Sequence, residues 1–350
     1  MNPKNISLSA TEKISLISNL ATMLSAGIPI LEAVNSLIEE SKGNPKLVLE
    51  TLREDLIEGK RVYSCLSRFP QTFDKVAVNI IRASEEAGTL DIALQDLKEN
   101  IKKEIEFGDK VKSAMVYPMF IMVVFVGVML MILIVVIPKI SIVFSRLKVN
   151  LPLPTRLMIA LSDLMLKNTL YFVGGTALAV LAIVIIYKKE KKFLLNILSS
   201  FPLISHLVRE IDLTRFTRSL HLLLSSGIPI TDALALSGDV VVKRDIARVI
   251  ARARDMVTSG KRLSEGFRGS KGTIPLIMVK LIEAGEKTGS LDKSMQDVSE
   301  YLDYQVSGTL KTLTALLEPI MLVVVGIAVG GMMMAIIAPI YGLIGQIGGR

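Results

Sequence analysis

Leu24-Ser25-Ala26-Gly27-Ile28-Pro29-Ile30 recurs about 200 residues later as Leu224-Ser225-Ser226-Gly227-Ile228-Pro229-Ile230. Working outward, Gly59-Lys60-Arg61 returns as Gly260-Lys261-Arg262, and Gln95-Asp96 as Gln296-Asp297. Glu85-Glu86-Ala87-Gly88-Thr89-Leu90-Asp91 returns as Glu286-Lys287-Thr288-Gly289-Ser290-Leu291-Asp292. Tyr117-Pro118 faces Glu318-Pro319, and Pro138 faces Pro339. The offset grows by one residue between the first two anchors. Chance does not hold a register across so many anchors, so the chain carries two copies of one module.

Each copy reads as helices joined by short turns. Ser9-Ala10-Thr11-Glu12 is a capping box, and Ile14, Ile17, Leu20, Ala21 and Leu24 follow at helical spacing. Gly27 falls where a helix ends in a left-handed residue, a conformation without penalty only for glycine. Pro29 suits the first turn of the next helix, where its missing N–H costs nothing, and Val34, Leu37 and Ile38 give that helix an apolar stripe. Phe216, Leu220, Leu223, Leu224, Gly227 and Pro229 repeat the pattern. Gly88 and Gly289 end a later helix, and Thr89 and Ser290 cap the next. Asp91 and Asp292 fall in its first turn, where the macrodipole favours an anion. No stretch shows sustained strand alternation, so each module is expected to be an all-α bundle.

The composition demands lipid. Hydrophobic residues make up 51% of the 350 residues and mean hydropathy is +0.51, while aromatics are only 5%. Three runs are free of charge: 117–137, 170–187 and 319–349. A bilayer core needs roughly 20 apolar residues per helix; the second run is short for that, but the repeat requires it. Two homologous modules on one side of a membrane need an even number of crossings between them. The sequence therefore predicts a first cytoplasmic helical module (1–116), a span (117–137) and an external loop with an amphipathic segment (138–169). A second span (170–187), a second cytoplasmic module (188–318), a third span (319–341) and a short external tail (342–350) follow. The two repeats are parallel, related by an axis along the membrane normal. Lys and Arg near the span ends number about ten on the module side and about six on the other, which places the N-terminus in the cytoplasm. The polar stretch 1–5 carries no signal peptide or lipidation motif.

Little in the sequence points to catalysis. Cys65 is the only cysteine, so no intramolecular disulfide forms, and His206 and His221 would need carboxylates to complete a zinc site. Gly59-Lys60-Arg61 and Gly260-Lys261-Arg262 lack the upstream glycine and the following Ser/Thr of a phosphate loop. Asp55 and Asp255 lie five residues upstream of Lys60 and Gly260, and Arg follows each Lys. Glu85, Glu86 and Glu286 read either as metal ligands or acid–base groups, or as buried or capping carboxylates paired within their own bundle. No charged residue lies inside any span, which argues against a proton relay and against a transporter or channel subunit. Gly326 and Gly330 form a GxxxG packing candidate. Met119, Met122, Met129 and Met332 to Met334 read as packing.

Charge separates the copies. The first carries 15 cations to 17 anions over 1–116, the second 20 to 14 over 188–317. Much of the contrast falls on one pair of equivalent helices: Arg244, Arg248 and Arg252 line one face, Glu50, Glu54 and Glu58 nearly the same face of the other. These are either two solvated faces or a working interface, between protomers or toward an acidic partner.

The duplicated Ser-x-Gly-Ile-Pro-Ile, the Glu-x-x-Gly-(Thr/Ser)-Leu-Asp motif and the Tyr-Pro and Glu-Pro pairs at the span starts (Pro118, Glu318, Pro319) resemble the PilC/GspF family. These are inner-membrane platform proteins of type IV pilus and type II secretion machines. The resemblance covers about residues 8–345. It implies an inner-membrane, multi-pass protein without enzymatic activity or cofactor and with no nucleic acid partner. It implies as partners a hexameric assembly or secretion ATPase, pilin or pseudopilin subunits, other inner-membrane assembly proteins, membrane lipid and further copies of itself. Two features depart from the family pattern. The chain starts almost directly with the first module, and Ser84-Glu85 stands where the second copy keeps Gly285-Glu286.

Overall fold

The structure is a computed structural model that describes residues 6–147, 153–167, 202–270 and 272–347. Among them every regular element is helical. The first copy contains α1 (Ala10–Ser25), α2 (Ile30–Glu40), α3 (Asn44–Ile57), α4 (Val62–Leu66) and α5 (Lys75–Ala87), and leads into α6 (Leu90–Met131). A π-helical turn (Ile132–Val136), α7 (Ile137–Leu147) and α8 (Leu153–Lys167) follow. The second copy contains α9 (Pro202–Ser225), α10 (Ile230–Gly238), α11 (Arg244–Thr258), α12 (Leu263–Phe267) and α13 (Leu276–Thr288), and leads into α14 (Leu291–Ile347).

Local chemistry sets the helix ends. The Ser9 side chain accepts the N–H of Glu12, whose carboxylate accepts the N–H of Ser9. Gly27 lies at φ +79° and Gly227 at +78°. Gly27 N–H donates to Leu24 O and Ile28 N–H to Met23 O, and Gly227 and Ile228 repeat the pair with Leu224 and Leu223. These are Schellman ends; Gly59 and Gly260 close α3 and α11 in the same way. Gly88 (φ +73°) and Gly289 (φ +71°) end α5 and α13 in the left-handed region. Pro29 and Pro229 sit one residue earlier than a first-turn position, at the N-caps of α2 and α10.

Burial locates the one-residue shift between the copies. Leu49 and Leu52 of α3 and Ile250 and Ala253 of α11 are buried, an offset of 201. The extra residue therefore falls before the buried part of α11. Both copies share one apolar core, in a compact unit comprising residues up to Lys110 and Pro202–Gly308. Its largest fully buried side chains include Phe69, Phe73, Phe216 and Phe267, and the last two meet edge to face at 6.1 Å. The copies join where α5 packs on α9 and α10. Lys75 Nζ lies 2.9 Å from Asp239 Oδ2 and Lys103 Nζ 4.0 Å from Glu300 Oε1.

The second unit comprises Val111–Phe201 and Thr309–Arg350, in its described residues. Two helical stretches, Leu90–Val143 and Leu291–Met334, are long and apolar enough to cross a membrane. Met119, Phe120, Ile327 and Met334 each stay about 70% exposed, an apolar surface that water does not favour. Pro118 and Pro319, expected at span starts, lie inside α6 and α14, so the helices run through them. The segment 138–169, expected as an external loop with an amphipathic segment, carries the helices α7 and α8. Pro138 explains the π turn before it: proline lacks the N–H of the ladder and its ring crowds the carbonyl four residues back. Leu133, Ile137 and Met165 pack together, and Ser162 Oγ donates to Leu133 O at 2.6 Å. The predicted span 170–187 lies outside the described residues.

Candidate functional site

The repeated glutamates occupy equivalent places. At the α4–α5 corner, Glu85 accepts the N–H of Val62 (2.8 Å) and of Tyr63 (3.2 Å), which open α4. At the α12–α13 corner, Glu286 accepts the N–H of Leu263 and of Ser264. Each carboxylate thus fills the orphan donors at the start of a five-residue helix that has no side-chain cap of its own. Glu86 is exposed. Of the readings left open by the sequence, a carboxylate bonded within its own bundle describes Glu85 and Glu286.

Asp55 differs between the copies. It is 4% exposed and accepts Lys60 Nζ at 3.0 Å and Arg68 Nη1 at 3.1 Å. Burial pushes its carboxyl up, but Lys60 and Arg68 together outweigh burial and hold it below its ordinary value of 3.8. Beside it, burial and then Asp55 push the Cys65 thiol up to about 12, so the thiol stays protonated and unreactive. At the burial-matched offset the second copy carries Met256, with Gly269 in place of Arg68. A depressed carboxylate contributes stability that is present above its unfolded value and lost as pH falls through its folded value. Asp55→Met, which copies the second module, is therefore expected to leave stability within about 1 kcal/mol near neutral pH. It should lose less than the parent below pH 3.8. Chemical unfolding midpoints at neutral and acid pH check this; an equal acid loss in both proteins rules it out.

The charged faces are unequal. Arg244, Arg248 and Arg252 are all exposed on α11, and among the described residues none of them forms an ion pair. Ile246, Ile250 and Ala253 are buried on the other side. On α3, Lys46 lies 4.0 Å from Glu50 and Lys60 2.6 Å from Glu58. The glutamate stripe is thus partly neutralised within its own chain, and among the described residues Glu54 forms no ion pair. At the burial-matched offset the two stripes are displaced by about one helical position.

Buried carboxylates also tie the second copy together. Asp212, 1% exposed, accepts the N–H groups of Val242 and Lys243 at 3.1 and 2.7 Å. Burial pushes its carboxyl up against those bonds. Arg218, its side chain largely buried at the copy boundary, pairs with the partly exposed Asp303. Among the described residues no group of three potential metal ligands comes together. Gly326 and Gly330 have open space where a side chain would be.

A duplicated all-helical module, closed by glycine turns and followed in each copy by an apolar helix, defines a class of repeat-built membrane proteins. The sequence profile described as type II secretion system (T2SS), protein F matches residues 16–138 and again 216–339. The chain belongs to that family. It is 29% identical to the type IV pilus assembly protein PilC of Myxococcus xanthus, covering 93% of this chain and 79% of the relative. It is 30% identical to the PilC of Thermus thermophilus over 94% and 81%. It is 28% identical to the type II secretion system protein F of Aeromonas hydrophila over 95% and 87%. Each family segment runs through one helical module and its apolar stretch, ending at Pro138 and at Pro339, so the profile counts the same two copies that the turns mark.

Proposed function

We propose that this chain is an inner-membrane platform protein of a type IV pilus or type II secretion machine. It couples a hexameric cytoplasmic ATPase to the assembly of pilin or pseudopilin subunits and catalyses no reaction of its own. The observation that carries this reading is the double match to the protein F family, one match per module, together with relatives of both machine types that align over nearly the whole chain. In the proposed topology the N-terminus and both modules are cytoplasmic, and the chain spans at 117–137, 170–187 and 319–341. The parity of the repeat and the Lys/Arg bias support it.

Within this reading Arg244, Arg248 and Arg252 form the docking face for an acidic surface of the ATPase. Their exposure and free charge support that role, and the paired state of Glu50 and Glu58 disfavours a contact between the two stripes. Rim charges set association rate and register and weaken with salt. Changing the three arginines to glutamate is expected to cut ATPase copurification by about tenfold at low salt without shifting thermal unfolding. Unchanged copurification by the triple variant would end the assignment; loss of all ATPase association by a folded parent chain would end the platform reading.

A further inference from the structure

Within one chain the two copies meet through different surfaces. The first copy contributes the face around Phe73, Val76, Ala77 and Ile101. The second contributes Arg215, Ser219, Asp239 and Val240, and together they enclose a cavity of about 340 Å³. Contacts of this kind, between unlike faces, leave one face unused at each end.

Both unused faces are visible. Ile277 stands at the place of Val76 by the offset of 201. Val76, covered by the second copy, is 5% exposed; Ile277 is 42% exposed. Leu276, at the place of Lys75, is 72% exposed, and Tyr301, at the place of Asn100, is 38% exposed. Leu276 and Tyr301 line an open groove of about 660 Å³ whose floor includes Ile274 and Leu302. Along the same groove Glu210 Oε2 and Arg209 Nε are buried and have no hydrogen-bond partner among the described residues. Ile277 is thus bare where Val76 is covered, while Ile274, Met278 and Leu302 of the same face are buried within their own copy.

The complementary face lies on α1 and α2 of the first copy. Ser15, Asn19, Glu39 and Glu40 stand at the places of Arg215, Ser219, Asp239 and Val240, and Ser15, Asn19, Glu39 and Glu40 are exposed. The two helices carry Glu12, Glu32, Glu39 and Glu40 against one cation, Lys13, which sits 6.0 Å over the Phe73 ring. Beside the bare groove the charge has the opposite sign. Lys280, Lys287 and Arg268 share the single carboxylate Glu283, which Lys287 and then Arg268 hold down to about 2. The internal contact sets a cation of α5, Lys75, against an anion after α10, Asp239. Lys280 against Glu39 and Glu40 keeps that polarity.

We propose that the α13 groove of one chain receives the α1–α2 face of a second copy. The contact that joins the modules within a chain is thereby repeated between chains, head to tail. Within the chain the two copies are already joined through their other faces, and both the α13 groove and the α1–α2 face stay exposed. The inference holds whichever machine the chain serves.

The test uses full-length protein in detergent with Cys65→Ser throughout. One tagged chain carries Leu276→Cys, a differently tagged chain carries Glu39→Cys, and a short bismaleimide joins neighbouring thiols. A control chain carrying Lys75→Cys and Asp239→Cys reports the internal contact and therefore the fold. An adduct containing both tags is expected. Adding Ile277→Asp to the first chain should lower its yield by at least about tenfold, and the same change in the control chain should leave the internal adduct intact. No adduct between the tags while the control reacts would overturn the proposal. So would a joining of two Leu276→Cys chains in its place, or an undiminished yield with Ile277→Asp.

Discussion

Gly285→Ser is expected to destabilise the protein by about 1–3 kcal/mol, and Gly285→Ser with Ser294→Ala to recover part of that loss. Gly285 is buried inside α13, where α13 and α14 approach closely. A Cβ there would meet Ser294 Oγ most closely, the contact that Ser294→Ala removes, and would also stand 2.7 Å from Ser294 Cβ and 3.2 Å from Leu291 Cα. Something must shift, and the interior of a packed unit resists shifting. The first copy shows the alternative. Ser84 occupies the equivalent place, 1% exposed, and faces Ala93 where the second copy has Ser294. Ser84 satisfies its own hydroxyl on Ile81 O at 3.1 Å, so it asks nothing of α6. The two copies have therefore placed the larger side chain on opposite helices of one contact. The double substitution imports the first copy's solution into the second. Unfolding of the purified chain in detergent micelles measures the cycle. A neutral single variant, or a double variant no better than the single, would show that the contact is not the limiting one.

What could be read from the sequence follows from how local its causes are. The turns at Gly27, Gly88, Gly227 and Gly289 were legible because a helix that ends left-handed within one turn selects glycine on the spot. The Ser9–Glu12 box is legible for the same reason: both partners lie within four residues. The all-helical architecture and the duplication follow from these repeated local marks. The partner of Glu85 was not legible, because it lies 22 or 23 residues away across a corner; the motif marks the end of α5 but not what its glutamate holds. Asp55 and Asp255 looked alike by spacing, yet Asp55 is buried and the Asp255 side chain is 71% exposed. Only the burial pattern of α3 and α11 fixes the true partner as Met256. Pro118 and Pro319 lie within α6 and α14 rather than at helix starts, since proline is tolerated inside apolar helices. The unlike faces of the two copies were hidden for a different reason. Val76 and Ile277 are near-identical in type, and nothing in a residue's identity says which of two equivalent surfaces its own chain will cover.

Glu286→Ala is expected to cost about 2 kcal/mol, and Glu85→Ala about the same in the first copy. A hydrogen bond to a charged group contributes about 1.5–3 kcal/mol, and an N-cap about 1. Each glutamate does both tasks for a helix too short to supply its own cap. α12 buries Leu263 and Phe267, at 1% exposure each, so it cannot fray without opening the core around Phe216. Losing the carboxylate leaves the N–H groups of Leu263 and Ser264 in a half-buried corner that water fills poorly. Glu286→Gln keeps one acceptor oxygen but loses the charge that favours a helix start, so it should fall between parent and alanine variant. Glu286→Asp is one methylene short of the α12 backbone and should behave closer to alanine. The order parent, Gln, Asp, Ala in unfolding midpoint is specific to capping. An ion-binding carboxylate would give another pattern: the parent, but not the alanine variant, would gain stability on addition of a divalent cation. Thermal unfolding of the four proteins with and without calcium separates the two, and a calcium-dependent gain confined to the parent would replace capping as the role of this glutamate.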